Sequence, residues 1–252
     1  MNAVILCAGF ATRMFPLTRD FPKPLLKVAG RPVLDYLMEQ IVVLPDIQSV
    51  HIVSNAKFYK HFVHWHGERQ AGGIFAETSV HIHNDGSTDN TNRLGAAGDL
   101  QLALQRIDTP GRVLVTGGDN IYRFPLKPLC KTFLQNTHHY IVALVETELA
   151  KLQKTGVLEI GEDNRVLGLQ EKPDKPIGTW ICPPLYFFQP SVWSKLNHFL
   201  ETEGNHDAPG YFIDYLCRQE AVQAFKLDFK RFDIGSVESY FEADRQLRQN
   251  TA

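Results

Sequence analysis

The chain has 252 residues, 44% of them hydrophobic and 21% charged, with a formal net charge of −2. That length and apolar content suit one continuous domain over residues 1–252 with an ample core. The balanced charge argues against a nucleic acid or an anionic membrane surface as partner. Cys7, Cys130, Cys182 and Cys217 are scattered with no CxxC pair, which excludes a disulfide framework or structural zinc and fits a reducing cytosol. No stretch approaches the length of a membrane span, and the apolar run at the N-terminus lacks the basic residues and length of a signal peptide. A soluble, cytoplasmic protein is expected.

In chain order, the apolar run 3–7 reads as a buried strand, and 32–44 has helical spacing with Pro32 near its first turn. Strand 49–54, helix 57–69 and strand 79–83 follow, then a polar loop from Asn84 to Arg93. Residues 95–107 read as helix, and 112–116 as another apolar strand ending at Gly117-Gly118-Asp119-Asn120. Strands alternating with helices imply right-handed crossovers and a Rossmann-like α/β fold, an open, mixed, mainly parallel sheet flanked by helices. The second half has short strands at 139–145, 156–160, 165–170 and 181–188, an antiparallel extension, then helices near 190–199, 209–219 and 236–248.

Residues 6–24, Leu-Cys-Ala-Gly-Phe-Ala-Thr-Arg-Met-Phe-Pro-Leu-Thr-Arg-Asp-Phe-Pro-Lys-Pro, carry the most information. Ala8, Gly9 and Ala11 keep the backbone bare, and bare N–H groups in a turn form an anion-binding nest. Arg13 and Lys23 add full positive charge. Pro16, Pro22 and Pro24 discourage a regular helix, so the segment should wrap around an occupant, most simply a polyphosphate. The same residues also suit a strand-to-helix turn with two exposed cations.

Ligands of open α/β sheets sit beyond the carboxyl ends of the strands. Asp119 ends such a strand after two glycines, a place for a divalent cation near phosphates or for a turn aspartate. Asp233, in Arg-Phe-Asp-Ile-Gly-Ser, suits a second Mg²⁺ ligand or a cap. Lys172, in Glu171-Lys172-Pro173, could grip a second phosphate or simply end a strand. Small residues at 95–98 would let a flat base lie close, with the Asn84 amide on a pyrimidine edge. His61, His64 and His66 do not share a helix face and are read as no metal cluster, and His81 and His83 as packing or edge residues. Walker A, GxGxxG, GxSxG and HExxH motifs are absent, which argues against P-loop kinases and NAD enzymes.

Together these segments resemble the sugar-1-phosphate nucleotidylyltransferases, especially the thymidylyl- and uridylyl-transferring branch. The family's G-x-G-T-R-x-x-P-x-T followed by K-P is matched by Gly9 through Thr18 and by Lys23-Pro24. Its G-D-N is matched by Gly118-Asp119-Asn120, its E-K-P by Glu171-Lys172-Pro173, and its late aspartate turn by Phe232-Asp233-Ile234-Gly235. The resemblance implies the nucleotide-diphospho-sugar transferase fold and the residue roles. Ala8, Gly9, Phe10, Ala11, Thr12, Asn84, Gly95 and Gly118 would bind nucleotide. Arg13, Lys23 and Lys172 would be catalytic, Asp119 and Asp233 would hold Mg²⁺, and Gly156, Glu171 and Lys172 would bind the sugar phosphate. It also implies a short form without the β-helix domain of some relatives, and it is compatible with a homo-oligomer.

The chain departs from the family at Ala11, which replaces a glycine and requires a negative φ. It departs also at Asn84, where a glutamine is usual, and at Pro183-Pro184. The expected reaction is nucleotidyl transfer from dTTP or UTP to a sugar-1-phosphate, releasing pyrophosphate. The alternatives are cytidylyl transfer to phosphocholine or an alditol phosphate, with Trp180 and Tyr186 framing a quaternary ammonium, and nucleotide sensing without turnover.

Overall fold

A computed structural model describes residues 1–75, 77–203, 207–229 and 231–249. The elements are β1 (Asn2–Leu6), β2 (Lys27–Val28), β3 (Arg31–Pro32), α1 (Val33–Ile41), β4 (Ser49–Ser54), α2 (Tyr59–Ala71), β5 (Ser79–Asn84) and α3 (Gly95–Leu104). They continue with β6 (Val113–Gly117), β7 (Asn120–Tyr122), α4 (Leu126–Leu134), β8 (His139–Val145), α5 (Leu149–Leu152), β9 (Gly156–Ile160) and β10 (Val166–Glu171). The last are β11 (Trp180–Ile181), β12 (Leu185–Phe188), α6 (Val192–Thr202), α7 (Pro209–Gln219), β13 (Val222–Leu227), β14 (Arg231–Asp233) and α8 (Val237–Gln249). The expected strand 181–188 is interrupted because Pro183 and Pro184 offer no N–H to a ladder. Six elements escaped the sequence reading: β2, β3, β7, α4, α5 and β13.

The chain divides into two compact units, described separately below. One comprises Asn2–Arg93, Gly117–Lys127 and the described C-terminal residues 231–249. Its strands β1, β4 and β5 pair in parallel, with Val4 opposite His51 and His51 opposite His81. The stripe Val33, Leu34, Leu37, Met38 and Ile41 buries one face of α1. Asp35 is buried too, and it is satisfied from α2 by Trp65 Nε1 at 2.8 Å and Arg69 Nη2 at 2.7 Å.

The chain's end returns to its beginning inside this parallel unit. Strand β14 pairs antiparallel with β7, setting Asp233 opposite Asn120. Met14, Val28, Val33, Ile121, Ile234 and Ala243 form one buried cluster, so residues from both chain ends share an apolar core. The Tyr240 hydroxyl donates to Lys27 O at 2.8 Å, and Ala29 N donates to Asp244 Oδ1 at 2.7 Å, fastening α8 to β2.

The second unit comprises Met1, Leu94–Thr116 and the described residues of 128–229. Here pairing is mostly antiparallel: β12 with β6 and β8, β11 with β8 and β9, and β10 with β9. β13 runs parallel to β8. Aromatic rings fill the core, with Phe133 and Phe187 centroids 5.6 Å apart and Phe199 and Phe212 5.4 Å apart. Helix α7 lies against β10, where Leu169 N donates to Asp214 Oδ1 at 3.1 Å. Ser191, His139 and Glu220 cluster in this unit, with Ser191 Oγ 3.3 Å from His139 Nε2. The Ser191 hydroxyl donates to Glu220 at 2.7 Å, and His139 is engaged by Glu220 at Nε2 and by Gln189 N at Nδ1. Burial lowers the His139 pKa against the pull of Glu220.

Candidate functional site

In the parallel unit, β1 runs out into the turn of Ala8, Gly9, Phe10, Ala11 and Thr12. Two contacts hold this turn. Asn55 Nδ2 donates to Ala8 O at 2.9 Å, and the Thr18 hydroxyl donates to Ala11 O at 2.8 Å. Phe10 is buried near Phe58, while Gly9 and Thr12 are exposed. Among the described residues, no protein acceptor takes the N–H groups of Gly9, Phe10, Ala11 and Thr12. The turn therefore presents the donors that an anion nest needs. Ala11 does so in a left-handed conformation, φ 48° and ψ 40°. The expectation of a negative φ is thus overturned: continuing into the short 3-10 turn Thr12–Met14 requires the left-handed bend that a glycine would make without strain.

Arg13 is exposed on that turn and makes no ion pair among the described residues. Lys23 opens a second 3-10 turn, Lys23–Leu25, and its ammonium pairs with Asp119 Oδ2. Gly118 makes this approach possible. A Cβ there would lie 2.3 Å from Cys7 Sγ and 3.4 Å from Pro24, and its N–H donates to Leu6 O at 3.0 Å. Only glycine fits the close packing of the Asp119 turn on the end of β1.

Asp119 and Asp233 are brought together by the return of the chain. Ile234 N donates to Asp119 O at 3.2 Å. Asn120 lies between the two: its Nδ2 donates to Asp119 Oδ1 at 2.7 Å, and its Oδ1 accepts from Arg231. Arg231 also reaches Asp233 Oδ2 at 3.4 Å. Burial raises the Asp119 pKa, but the charge and hydrogen bond of Lys23 and the charge of Arg231 outweigh it, leaving the carboxylate below its ordinary value. Two carboxylates beside an amide are the hard oxygen donors that Mg²⁺ takes one or two at a time, completing its shell with phosphate and water. The donor set fits that ion.

Asn84 ends β5 in the same unit. Its Oδ1 accepts from Gly86 N at 2.9 Å, which holds the amide on its own turn. Gly95 begins α3 in the antiparallel unit with φ +76°, a backbone requirement that the sequence reading had put down to space for a base.

The antiparallel unit holds the remaining residues. Gly156 opens β9, and Glu171 closes β10 directly opposite it. A Cβ on Gly156 would lie 3.2 Å from Leu169 and 3.4 Å from Glu171 Oε2. Gly210, at the start of α7, is tighter still, since its Cβ would fall 2.0 Å from Glu171 Oε2. The carboxylate is therefore seated against bare backbone on both sides. Burial raises its pKa, Lys172 opposes and Asp207 adds to the rise. Lys172 is exposed at φ 49°, with Nζ 3.8 Å from Glu171 Oε1 and its N–H on Thr155 O. A carboxylate beside a projecting cation can accept hydroxyls and hold a phosphate in one place.

The sequence reading missed Arg231, Asn120, Asn55 and Gly210. Only Arg231 and Asn120 carried a signal, each being next to or two residues from a proposed metal ligand. Trp180 and Tyr186 do not frame a cation pocket: the Trp180 ring faces Lys226 Nζ at 5.5 Å, and Tyr186 is buried against Phe188. Among the described residues no group of three or more His, Cys, Asp or Glu is placed to hold a metal ion.

A parallel strand end that offers free backbone donors, flanked by cations and paired carboxylates, marks an α/β protein that handles phosphorylated nucleotides. The chain belongs to the nucleotidyl transferase family, which matches residues 2–250. It is 26% identical over 247 residues to the bifunctional protein GlmU of Methanocaldococcus jannaschii, covering 98% of this chain and 54% of that protein. It is 25% identical over 252 residues to the UTP–glucose-1-phosphate uridylyltransferase AglF of Haloferax volcanii, covering 100% of this chain and 98% of that one. The chain thus spans about half the length of several curated relatives it matches. Among solved structures, a Bacillus anthracis protein provisionally assigned as a glucose-1-phosphate thymidylyltransferase matches with a TM-score of 0.83 at 18% identity, covering 98% of this chain and 95% of that one. A UDP-glucose pyrophosphorylase bound to UDP-glucose matches with a TM-score of 0.81 at 17% identity, covering 99% and 98%. At such identities the likeness establishes the mixed α/β fold. No described helix is long and apolar enough to cross a membrane.

Proposed function

We propose that residues 1–252 act as one domain, a Mg²⁺-dependent sugar-1-phosphate nucleotidylyltransferase that uses dTTP or UTP, releases pyrophosphate and works in the cytoplasm. The observation that carries the reading is the ion pair of Lys23 with Asp119 and the return of Asp233 beside Asn120 in the parallel unit, where the bare turn of residues 9–12 carries Arg13. The uridylyltransferase matched along its whole length supports the choice of substrates.

A sugar phosphate is already an ionised nucleophile near neutral pH, so the attack on the α-phosphorus needs no general base. The obstacle is bringing two anions together, and catalysis is then positioning and charge neutralisation. The bare N–H groups of residues 9–12 cradle the triphosphate, and Arg13 and Lys23 neutralise the departing pyrophosphate. Asp119 and Asp233 hold the metal, which when bound supplies further neutralisation of phosphate charge. In the antiparallel unit, Glu171 accepts sugar hydroxyls while Lys172 restrains the attacking phosphate.

Arg13→Ala and Asp119→Asn are expected to lose about 10²–10³ in kcat while remaining folded. Lys172→Ala is expected to act mainly on KM for the sugar phosphate. The test is pyrophosphate release from a panel of nucleoside triphosphates against phosphorylated sugars and choline phosphate. Parental rates in both Arg13→Ala and Asp119→Asn would overturn the site, and product only with CTP and choline phosphate would overturn the substrate.

A further inference from the structure

Each of the two aspartates proposed to hold the metal is already held by a cation of the chain itself. Lys23 occupies Asp119 Oδ2, and Arg231 reaches Asp233 Oδ2 at 3.4 Å. The two pairs are joined through Asn120, which donates to Asp119 Oδ1 at 2.7 Å and accepts from Arg231 Nη1. The result is a continuous relay, Lys23–Asp119–Asn120–Arg231–Asp233, with two positive and two negative charges. The two cations differ in kind. Lys23 is a point charge on a flexible stem, whereas Arg231 is a planar fork, only 10% exposed, that grips Asn120 and Asp233 together.

We infer that Arg231 is a positioning residue that holds Asp233 and Asn120 in place of a metal, keeping the affinity of the free protein for a bare divalent cation low. This rests on the reading of Asp119 and Asp233 as the metal carboxylates. A dication approaching the free protein meets a neutral, hydrogen-bonded network and must separate two ion pairs to bind. A triphosphate changes that balance, because its charge draws Lys23 from Asp119 and frees one carboxylate. The metal then enters together with the nucleotide, and metal alone does not organise the site.

The experiment is a titration of the full-length protein with Mn²⁺ in the absence of nucleotide, read by the electron paramagnetic resonance of free Mn²⁺. The wild-type protein should bind weakly. Arg231→Met, which keeps the aliphatic stem and removes the fork, should tighten the Kd at least tenfold. Arg231→Lys, one charge that cannot grip both partners, should fall between the two. The double variant Arg231→Met with Asp119→Asn should lose the gained affinity. Unchanged or weaker Mn²⁺ binding in folded Arg231→Met overturns the inference. If that variant does not fold, Arg231→Lys decides, at least threefold tightening supporting the inference and no tightening refuting it. Retention of tight binding in the double variant refutes instead the assignment of Asp119 as a metal ligand.

Discussion

Asp119 in the parallel unit and Glu171 in the antiparallel unit are both partly buried carboxylates, yet their pKa values are displaced in opposite directions. For Asp119, burial is outweighed by Lys23 and Arg231, and the group stays ionised. For Glu171, burial against Gly156 and Gly210 outweighs the one nearby lysine, and the pKa rises. The number of cations supplied by the fold decides the sign. The parallel unit gathers them from distant parts of the chain, 23 and 231, whereas among the described residues the antiparallel unit offers Glu171 its sequence neighbour alone, with Asp207 adding negative charge. The first arrangement suits a site for metal and polyphosphate, and the second a site for neutral hydroxyls beside one phosphate.

The largest effects on the fold should come from the glycines that seat these carboxylates. Gly118→Ala drives a Cβ into Cys7 Sγ, which has little room to retreat, and should cost about 1–3 kcal/mol of stability in urea unfolding. Gly210→Ala meets the ends of two side chains, Glu171 Oε2 at 2.0 Å and Leu169 Cδ2 at 2.8 Å, and Glu171 can turn away. It should therefore cost less stability and act mostly on KM for the sugar phosphate. If Gly210→Ala were the more destabilising of the two, the picture of a movable Glu171 would be wrong.

Neutralising the carboxylates should separate the units next. Asp119→Asn leaves Lys23 without its partner and should cost about 1–2 kcal/mol. Glu171→Gln removes a buried charge and should leave Tm unchanged or slightly higher while weakening sugar binding. The pH dependence follows from the same signs. The contribution of Asp119 stands above its ordinary pKa and is lost as the pH falls through the lower folded value. The charge of Glu171 disfavours folding once the pH rises through its elevated folded value. Equal and same-signed changes in Tm for the two variants would erase the contrast.

A smaller effect lies elsewhere in the parallel unit. His51 is buried beside His81 and His83, with Nδ1 2.9 Å from His83 Nε2. Burial and these neighbours lower its pKa from 6.5 to about 4. Its neutral form therefore supports the fold fully above pH 6.5, and that support is lost as the pH falls toward 4. Unfolding of His51→Gln, compared with the parent at pH 7.5 and pH 5, should show a shallower loss. The smallest change is Ala11→Gly, which relieves the left-handed strain at φ 48° and should gain roughly 0.5–1 kcal/mol. A loss on this substitution would mean that the turn is not strained.

Much was legible in the sequence because it rests on local chemistry. The alternation of apolar strands and amphipathic helices predicted β1, α1, β4, α2, β5 and β6 within a few residues, since burial of one face imposes its period on the chain. The phosphate turn could be read from small residues and two cations after a strand, because a nest of N–H groups needs bare backbone and nothing remote. The short strands β7 and β13 were not legible. A three-residue strand has no period of its own, and β13 exists by pairing with β8 across a long separation.

What the sequence by itself determined is the composition of the site: which carboxylates, cations and glycines are present, and that they lie at the ends of strands. What only the tertiary structure decided is their partnership. The cluster of Met14, Ile121 and Ile234 folds the last strand back onto the Asp119 turn, and so places Arg231 on Asn120 and Asp233. No local pattern announces that contact, because it depends on apolar burial between residues more than a hundred positions apart. The same holds for Gly210, whose missing side chain matters only because Glu171 comes to rest against it.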